Sequence, residues 1–201
     1  MKVLIIIPAF NEEENIEKVV TNIQKTFPEY DYLIVNDGSM DLTGEICEQK
    51  GYSLLNLPIN LGIGGAVQAG YLYAKKSHYD IAIQIDGDGQ HNIIYAEEMV
   101  KLLSDGQADV VIGSRFLEKE GFQSSGARRM GIKVLSFLIK VCTGSKIYDV
   151  TSGFRAVNRT YINIYCQDYS NDYPEPEAIV TAVMYGGIIK EIPVVMNERQ
   201  G

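Results

Sequence analysis

The first strong signal along the chain is an unbroken apolar run, VLIII at 3–7, that ends at Pro8. It is short, rich in β-branched residues and does not alternate, as suits a strand covered by helices on both faces. The period then changes. Ile16, Val19, Val20 and Ile23 recur at helical spacing, with Asn11 expected as the N-cap and Glu12, Glu13 and Glu14 as a first turn whose charge suits the helix dipole. Strand and helix go on alternating. YLIV (32–35) precedes a helix over 41–50 closed by Gly51, and YSLLNL (52–57) one over 64–76. IAIQI (81–85) precedes a helix over 92–103, and DVVIG (109–113) a basic amphipathic helix over 127–141. SGFRAVN (152–158) reads as a strand, 174–185 as a helix opened by prolines, and 187–196 as a last strand whose Pro193 implies an edge or a bulge. This alternation predicts an α/β fold, a doubly wound, mostly parallel sheet with helices on both faces and a ligand site beyond the carboxyl ends of the strands. No internal repeat or low-complexity tract interrupts the pattern, so a single domain over 1–201 is expected.

Composition narrows the classes. With 46% hydrophobic and 22% charged residues, the 201-residue chain has ordinary globular usage and enough length for one sizeable core. A formal charge of -8 argues against a general nucleic-acid binder, so any anionic substrate must be met by local positive groups. Cys47, Cys142 and Cys166 show no metal-ligand spacing, and an odd number far apart fits a reducing compartment, the cytoplasm. The opening apolar run is too short for a signal peptide, and no stretch approaches the ~18 apolar residues that span a bilayer.

Chemistry enters where IAIQI runs into IDGDGQH (85–91). Asp86 and Asp88 fall at the expected ligand rim, and the glycines between and after them let both carboxylates turn toward one ion. Hard oxygen ligands favour Mg²⁺ or Mn²⁺, and a site with few protein ligands leaves positions for substrate phosphates. Asp-Gly pairs are also common turn chemistry, so the pair alone does not separate an ion site from an acidic turn. The first two strands end in PAFNE and NDGSMD, which brings Pro8, Phe10, Glu12, Asn36 and Asp37 to the same edge. Together these features read as a nucleotide pocket, although capping and turn roles stay open for Asn11 and Asp37. NLGIGGAVQAG (60–70) does not have dinucleotide-binding spacing, and Gly62, Gly64 and Gly65 read instead as letting the third helix start close against the sheet. His91 is one of two histidines, too few for a histidine-rich zinc site, and is expected to line the acceptor side. Glu175 and Glu177 follow prolines at a helix start, where they suit the dipole, with acceptor contact as the alternative.

The segments PAFNEEENI, VNDGSMD, NLGIGGA, IDGDGQH, GSRF, DVTSGFR and IPVVMNERQG, in this order, resemble inverting glycosyltransferases of family 2. The likeness is greatest to the polyprenyl-phosphate sugar synthases, the dolichol-phosphate mannose synthase group. It implies a GT-A fold with a nucleotide-sugar half over 1–115 and an acceptor half over 116–201. It further implies that Pro8, Phe10, Glu12 and Asp37 contact the nucleoside and that Asp86, Asp88 and Gln90 hold or support the metal. Arg115, Arg128 and Arg199 would bind the donor pyrophosphate or the acceptor phosphate. Asn36 stands before Asp37 where the family often has two aspartates, which leaves the nucleobase open with a lean to uridine. In the resembled family the chain continues past the position of Gly201, sometimes into membrane segments.

The case for the arginines also stands on chemistry, because a guanidinium forks two hydrogen bonds onto phosphate and keeps its charge at any relevant pH. A pyrophosphate leaving group gains negative charge as the sugar bond breaks, and a metal plus arginines would stabilise it. Asp149, just before TSGFR, could be the base for an acceptor hydroxyl. A lipid phosphate needs no base, and Asp149 would then orient the acceptor or an arginine. The expected reaction is therefore transfer of a hexose or N-acetylhexosamine to polyprenyl phosphate, with transfer to a polysaccharide hydroxyl as the alternative. A nucleotidyltransferase and a silent nucleotide-binding module are the readings from other classes. The segment 127–146 holds Arg128, Arg129, Lys133, Lys140 and Lys146 and no acid, interleaved with apolar residues. It is expected to lie on the inner membrane face, drawn by anionic lipid, unless its apolar residues simply pack on the sheet or on a partner subunit.

Overall fold

The computed structural model describes residues 1–117, 136, 140–141, 144, 146–170 and 173–197. Strand β1 (Val3–Ala9) is buried along its whole length and forms the axis of the fold. It pairs in parallel with β2 (Asp31–Asn36) on one side and β4 (Ile81–Gln84) on the other. β3 (Leu54–Asn56) extends the sheet beyond β2, and β6 (Arg155–Asn158), β5 (Val110–Ser114) and β7 (Ile189–Pro193) extend it beyond β4, giving the order β3-β2-β1-β4-β6-β5-β7. β6 runs antiparallel to both β4 and β5, so the sheet is mixed in its middle. Among the described residues β7 pairs with β5 alone, and Pro193 sits on that outer strand opposite Ser114, an edge position that suits its missing N–H.

Successive β1 side chains feed two cores. Val3, Ile5 and Ile7 join the apolar faces of α1 (Ile16–Thr26) and α4 (Ala96–Ser104), together with Cys47 of α2 (Thr43–Gln49). Leu4 and Ile6 face α3 (Gly62–Lys76), α5 (Arg159–Tyr165) and α6 (Pro174–Met184). Each fully buried β1 isoleucine is worth about 1.5–3 kcal/mol relative to exposure. A close helix-to-sheet contact falls at Gly70, where a Cβ would run into the Ile6 side chain, whereas one at Gly62 would meet nothing and one at Gly65 would meet the Leu61 side chain. Burial pushes the Cys47 thiol up to about 11, which leaves it a packing residue.

Two local expectations need correction. α1 starts at Ile16, because Asn11 adopts a left-handed conformation (φ 57) and its Oδ1 accepts from the Met40 N–H at 2.9 Å. Glu13 likewise accepts from the Leu42 N–H at 2.8 Å, so this acidic run stitches two loops together instead of opening the helix. The helix α5 was not anticipated, since RTYINIY is rich in β-branched and aromatic residues. It forms because the Asn158 side chain caps it through the Tyr161 N–H. Buried Tyr161 and Tyr165 then bond their hydroxyls to Ala182 and Ala178 carbonyls of α6. The expected basic helix over 127–141, with Arg128, and the tail carrying Arg199 lie outside the described residues, apart from isolated positions of the former.

Candidate active site

The winding reverses beside β1, with β2 and β3 laid down on one side and β4 on the other. At such a switch point the carboxyl ends of neighbouring strands diverge and open a crevice. Here the crevice is a cleft of about 460 Å³ whose walls include Pro8, Phe10, Glu12, Asp37, Asp86 and Asp88. Six of the expected pocket residues thus meet in one place. Asp37, 3% exposed, donates its N–H to the Ala9 carbonyl at 2.9 Å and accepts from the Leu61 N–H at 2.7 Å, which ties β1, β2 and the start of α3 around the cleft. Asn36 does not line it. Its Nδ2 donates to Asn56 Oδ1 at 2.9 Å and its Oδ1 accepts from the Ser39 N–H at 3.2 Å, so its amide is used in building the loop. The side chain expected to contact the donor is thus engaged away from the wall of this cleft.

The acidic loop after β4 is held from several sides. A Cβ on Gly87 would stand 3.0 Å from the Pro8 carbonyl, so a larger residue would have to ease the loop away from the end of β1. Asp88 Oδ1 accepts from the Gln90 N–H at 3.0 Å, and the Gln90 carbonyl accepts from the Asn197 N–H at 2.8 Å. A second cavity of about 440 Å³, walled by Asn15, Lys18, Asn22 and Asn197, also reaches Asp86 and Asp88. The two carboxylates therefore stand on the partition between two cavities. Among the described residues no group of three or more acidic, histidine or cysteine side chains is placed to hold an ion. Two hard oxygen donors with the remaining positions left to substrate suit Mg²⁺ or Mn²⁺ shared with a diphosphate, so the residues present fit such a metal.

Beyond β5 the charges are arranged differently. Arg115 Nε donates to Asp149 Oδ2 and Nη2 to Asp149 Oδ1, both at 2.7 Å, and Nη2 also reaches Thr151 Oγ1 at 3.0 Å. The Arg115 N–H adds a third bond to Asp149, which is fully buried. Burial alone would lower the Arg115 pKa, but the paired Asp149 carboxylate outweighs it and holds the group above its ordinary value. Glu191 accepts from the Tyr148 and Asp149 N–H groups at 2.8 Å and so fixes the segment that carries Asp149. This geometry runs against Asp149 as a base, because a carboxylate closed off from solvent and spent on a guanidinium is positioned to orient that arginine.

Glu175 opens α6 behind Pro174, in the first turn as expected, and is half-buried. Burial pushes its carboxyl up, Asp86 adds to this, and Arg155 and Arg115 oppose it. Arg155 was not anticipated as a site residue. Its guanidinium is 1% exposed, donates from Nη2 to the Glu175 carbonyl at 3.0 Å, and sits among Tyr71, Tyr165 and Tyr169. His91, expected to line the acceptor side, is buried beneath Asp86 and borders the second cavity. Position directly after DGDGQ was the only sequence signal for it, and none existed for Glu191, a lone acid in a strand.

The glycosyl transferase family 2 model matches residues 4–165. The chain is 28% identical over 211 residues to the polyprenol monophosphomannose synthase of Mycolicibacterium smegmatis, covering 99% of this chain and 78% of that protein. It is 29% identical over 210 residues to the undecaprenyl-phosphate mannosyltransferase of Micrococcus luteus, covering 100% and 85%. Among solved structures, glucosyl-3-phosphoglycerate synthase from Mycobacterium tuberculosis superimposes over 100% of this chain and 72% of that one at 19% identity. The TM-score is 0.76 for its complex with Mn²⁺, uridine-diphosphate-glucose and phosphoglyceric acid. It is 0.78 for its complex with Mg²⁺ and uridine diphosphate. The α/β sheet is thus of the GT-A type, and the chain is a glycosyltransferase that belongs to glycosyl transferase family 2.

Proposed function

We propose that this chain moves a hexose or N-acetylhexosamine from a nucleotide diphosphate sugar to polyprenyl phosphate, with Mg²⁺ or Mn²⁺ on Asp86 and Asp88. The observation that carries the reading is the single cleft in which the carboxyl ends of β1, β2 and β4 bring Pro8, Phe10, Glu12 and Asp37 together with the acidic pair. In it, Asp37 and the Pro8–Phe10 segment hold the nucleoside, and Asp86 and Asp88 hold the metal with its support from the Gln90 segment. When bound, the metal neutralises charge that builds on the departing diphosphate. Arg115, aimed by Asp149, meets a phosphate of the donor or the acceptor, and Arg128 and Arg199 are proposed for the same phosphates. The names of the bacterial relatives support a polyprenyl phosphate acceptor. A phosphate oxygen is already ionised at neutral pH, so the burial of Asp149 is consistent with that acceptor. Uridine is the first donor base to try, on the fold neighbour's crystallised ligand. The acceptor places the enzyme at the cytoplasmic face of a membrane. Among the described residues no helix is long and apolar enough to cross one.

Product analysis with uridine and guanosine diphosphate sugars, Mn²⁺ and a polyprenyl phosphate tests the reading. Release of nucleoside diphosphate that depends on the lipid phosphate is expected. Release of sugar 1-phosphate, the leaving group when the nucleotidyl group is the one transferred, would indicate nucleotidyl transfer, and nucleoside diphosphate release that needs only a sugar hydroxyl would move the acceptor to a polysaccharide.

A further inference from the structure

Asp86 is gripped by its backbone as well as its carboxylate. Its N–H donates to His91 Nδ1 at 2.9 Å, which makes Nδ1 the acceptor nitrogen and puts the proton of the neutral imidazole on Nε2. Nε2 lies 3.6 Å from Asp86 Oδ2, too long for a direct hydrogen bond but with the N–H dipole on the carboxylate. The ring cannot turn away easily. Its side chain is 2% exposed, and it stacks on Phe154 with centroids 5.2 Å apart and planes 23° off parallel. On the other side of the same carboxylate, a Cβ on Gly153 would stand 2.8 Å from Oδ1, so the 152–154 turn is in contact with Asp86. One side chain thus meets the main chain and the carboxylate of a single residue, while Phe154 and Gly153, neighbours in sequence, brace the two from behind.

We propose that His91 is a positioning residue that fixes the direction of the Asp86 carboxylate through its Nδ1 bond to the Asp86 N–H. This rests on the reading of Asp86 as a metal ligand. Outer groups that orient a ligand typically change metal affinity by about 10–100-fold when removed. The pair is distinguishable by substitution, since the Asn amide oxygen overlays Nδ1 while the longer Gln amide reaches the position of Nε2.

The test is Mn²⁺ binding to the whole chain, read from the electron paramagnetic resonance signal of free Mn²⁺ with uridine diphosphate present, alongside melting temperature and the kcat and KM of transfer. His91→Phe keeps the stack on Phe154 and is expected to bind Mn²⁺ about tenfold more weakly. His91→Asn is expected to recover most of that loss and His91→Gln little of it, with the change appearing in the metal concentration needed for half-maximal rate. Equal Mn²⁺ affinity in wild type and His91→Phe overturns the inference, as does equal loss in the Asn and Gln variants. If His91→Phe does not fold, the order of the Asn and Gln variants decides alone. Failure of the wild type itself to bind Mn²⁺ would instead sink the metal reading on which the inference rests.

Discussion

The two acidic regions around the crevice use their carboxylates in opposite ways. On the β1–β4 side, Asp37 and Asp88 accept hydrogen bonds from the backbone N–H groups of Leu61 and Gln90, and no ion pair to either is formed among the described residues. On the β5 side, Asp149 is consumed by Arg115, on a segment that Glu191 fixes through two backbone N–H groups. Backbone dipoles hold a carboxylate in place without cancelling its charge, whereas a bidentate guanidinium cancels it and is itself immobilised. The first region is therefore built to receive a cation and the second to present one.

Removing charge should therefore have different consequences in the two regions. Asp88→Asn is expected to lower kcat/KM by about 10³-fold or more, equivalent to about 4 kcal/mol, with the melting temperature changed by no more than about 2 °C, because the loop carries little core packing. Near wild-type turnover with added metal would break the comparison on its receiving side. Asp149→Asn is expected to be a stability mutation first, lowering unfolding free energy by about 3 kcal/mol, since it strips the counter-charge from a largely buried guanidinium. Denaturant titration reads this directly. A variant as stable as wild type but inactive, with rescue at high pH, would restore Asp149 as a base.

Gly153→Ala sharpens the same line at the boundary between the regions. The backbone there does not need a left-handed conformation, so the only cost is the approach of the new methyl to Asp86 Oδ1 at 2.8 Å. A fall of about tenfold in kcat/KM is expected, the scale of a small displacement of a metal ligand. Unchanged kinetics would mean that Asp86 shifts without consequence.

How much of this was legible beforehand follows the same division. β1, β2, β4 and their rims were readable because each is a continuous apolar run followed within a few residues by its polar end, so one local stretch carries both the element and its chemistry. The pairing of Asp149 with Arg115 and the anchoring of Asp149 by Glu191 span 34 and 42 residues, and nothing in the local pattern signals either. The same limit explains β6, whose apolar pattern marked it as a strand while its antiparallel direction depends on where the chain re-enters the sheet. For α5 tertiary burial overrode local preference, although Asn158 followed by Tyr161, Ile162 and Tyr165 was a readable cap and helical spacing. His91 was seen as a rim residue but its grip on Asp86 was not, because the order of residues in a turn does not say which face the side chain takes.

The smallest expected effect concerns Glu175, the half-buried carboxyl that lies between the regions. Its pKa is raised, first by burial and then by Asp86, against the pull of Arg155 and Arg115. A raised value means that the folded chain holds this proton more tightly than the unfolded chain does. The ionised group therefore costs stability at neutral pH, and that cost fades as pH falls through the raised pKa toward the ordinary carboxylate range. Glu175→Gln should accordingly raise the melting temperature at pH 7 by about 1–2 °C, a gain that disappears near pH 4. Activity in the same variant separates the two acceptors. With Asp149 closed off, Glu175 is the carboxyl near Asp86 and Arg115 that a hydroxyl acceptor could use as a base, and its loss would then cost about 10²–10⁴-fold in kcat. An acceptor phosphate has no proton to give up. Turnover on polyprenyl phosphate is expected to stay within about tenfold of wild type. A larger loss on that acceptor, with the stability gain intact, would show that Glu175 serves the phosphate in some way other than taking a proton, whereas a loss confined to a hydroxyl acceptor would show that the crevice deprotonates a hydroxyl.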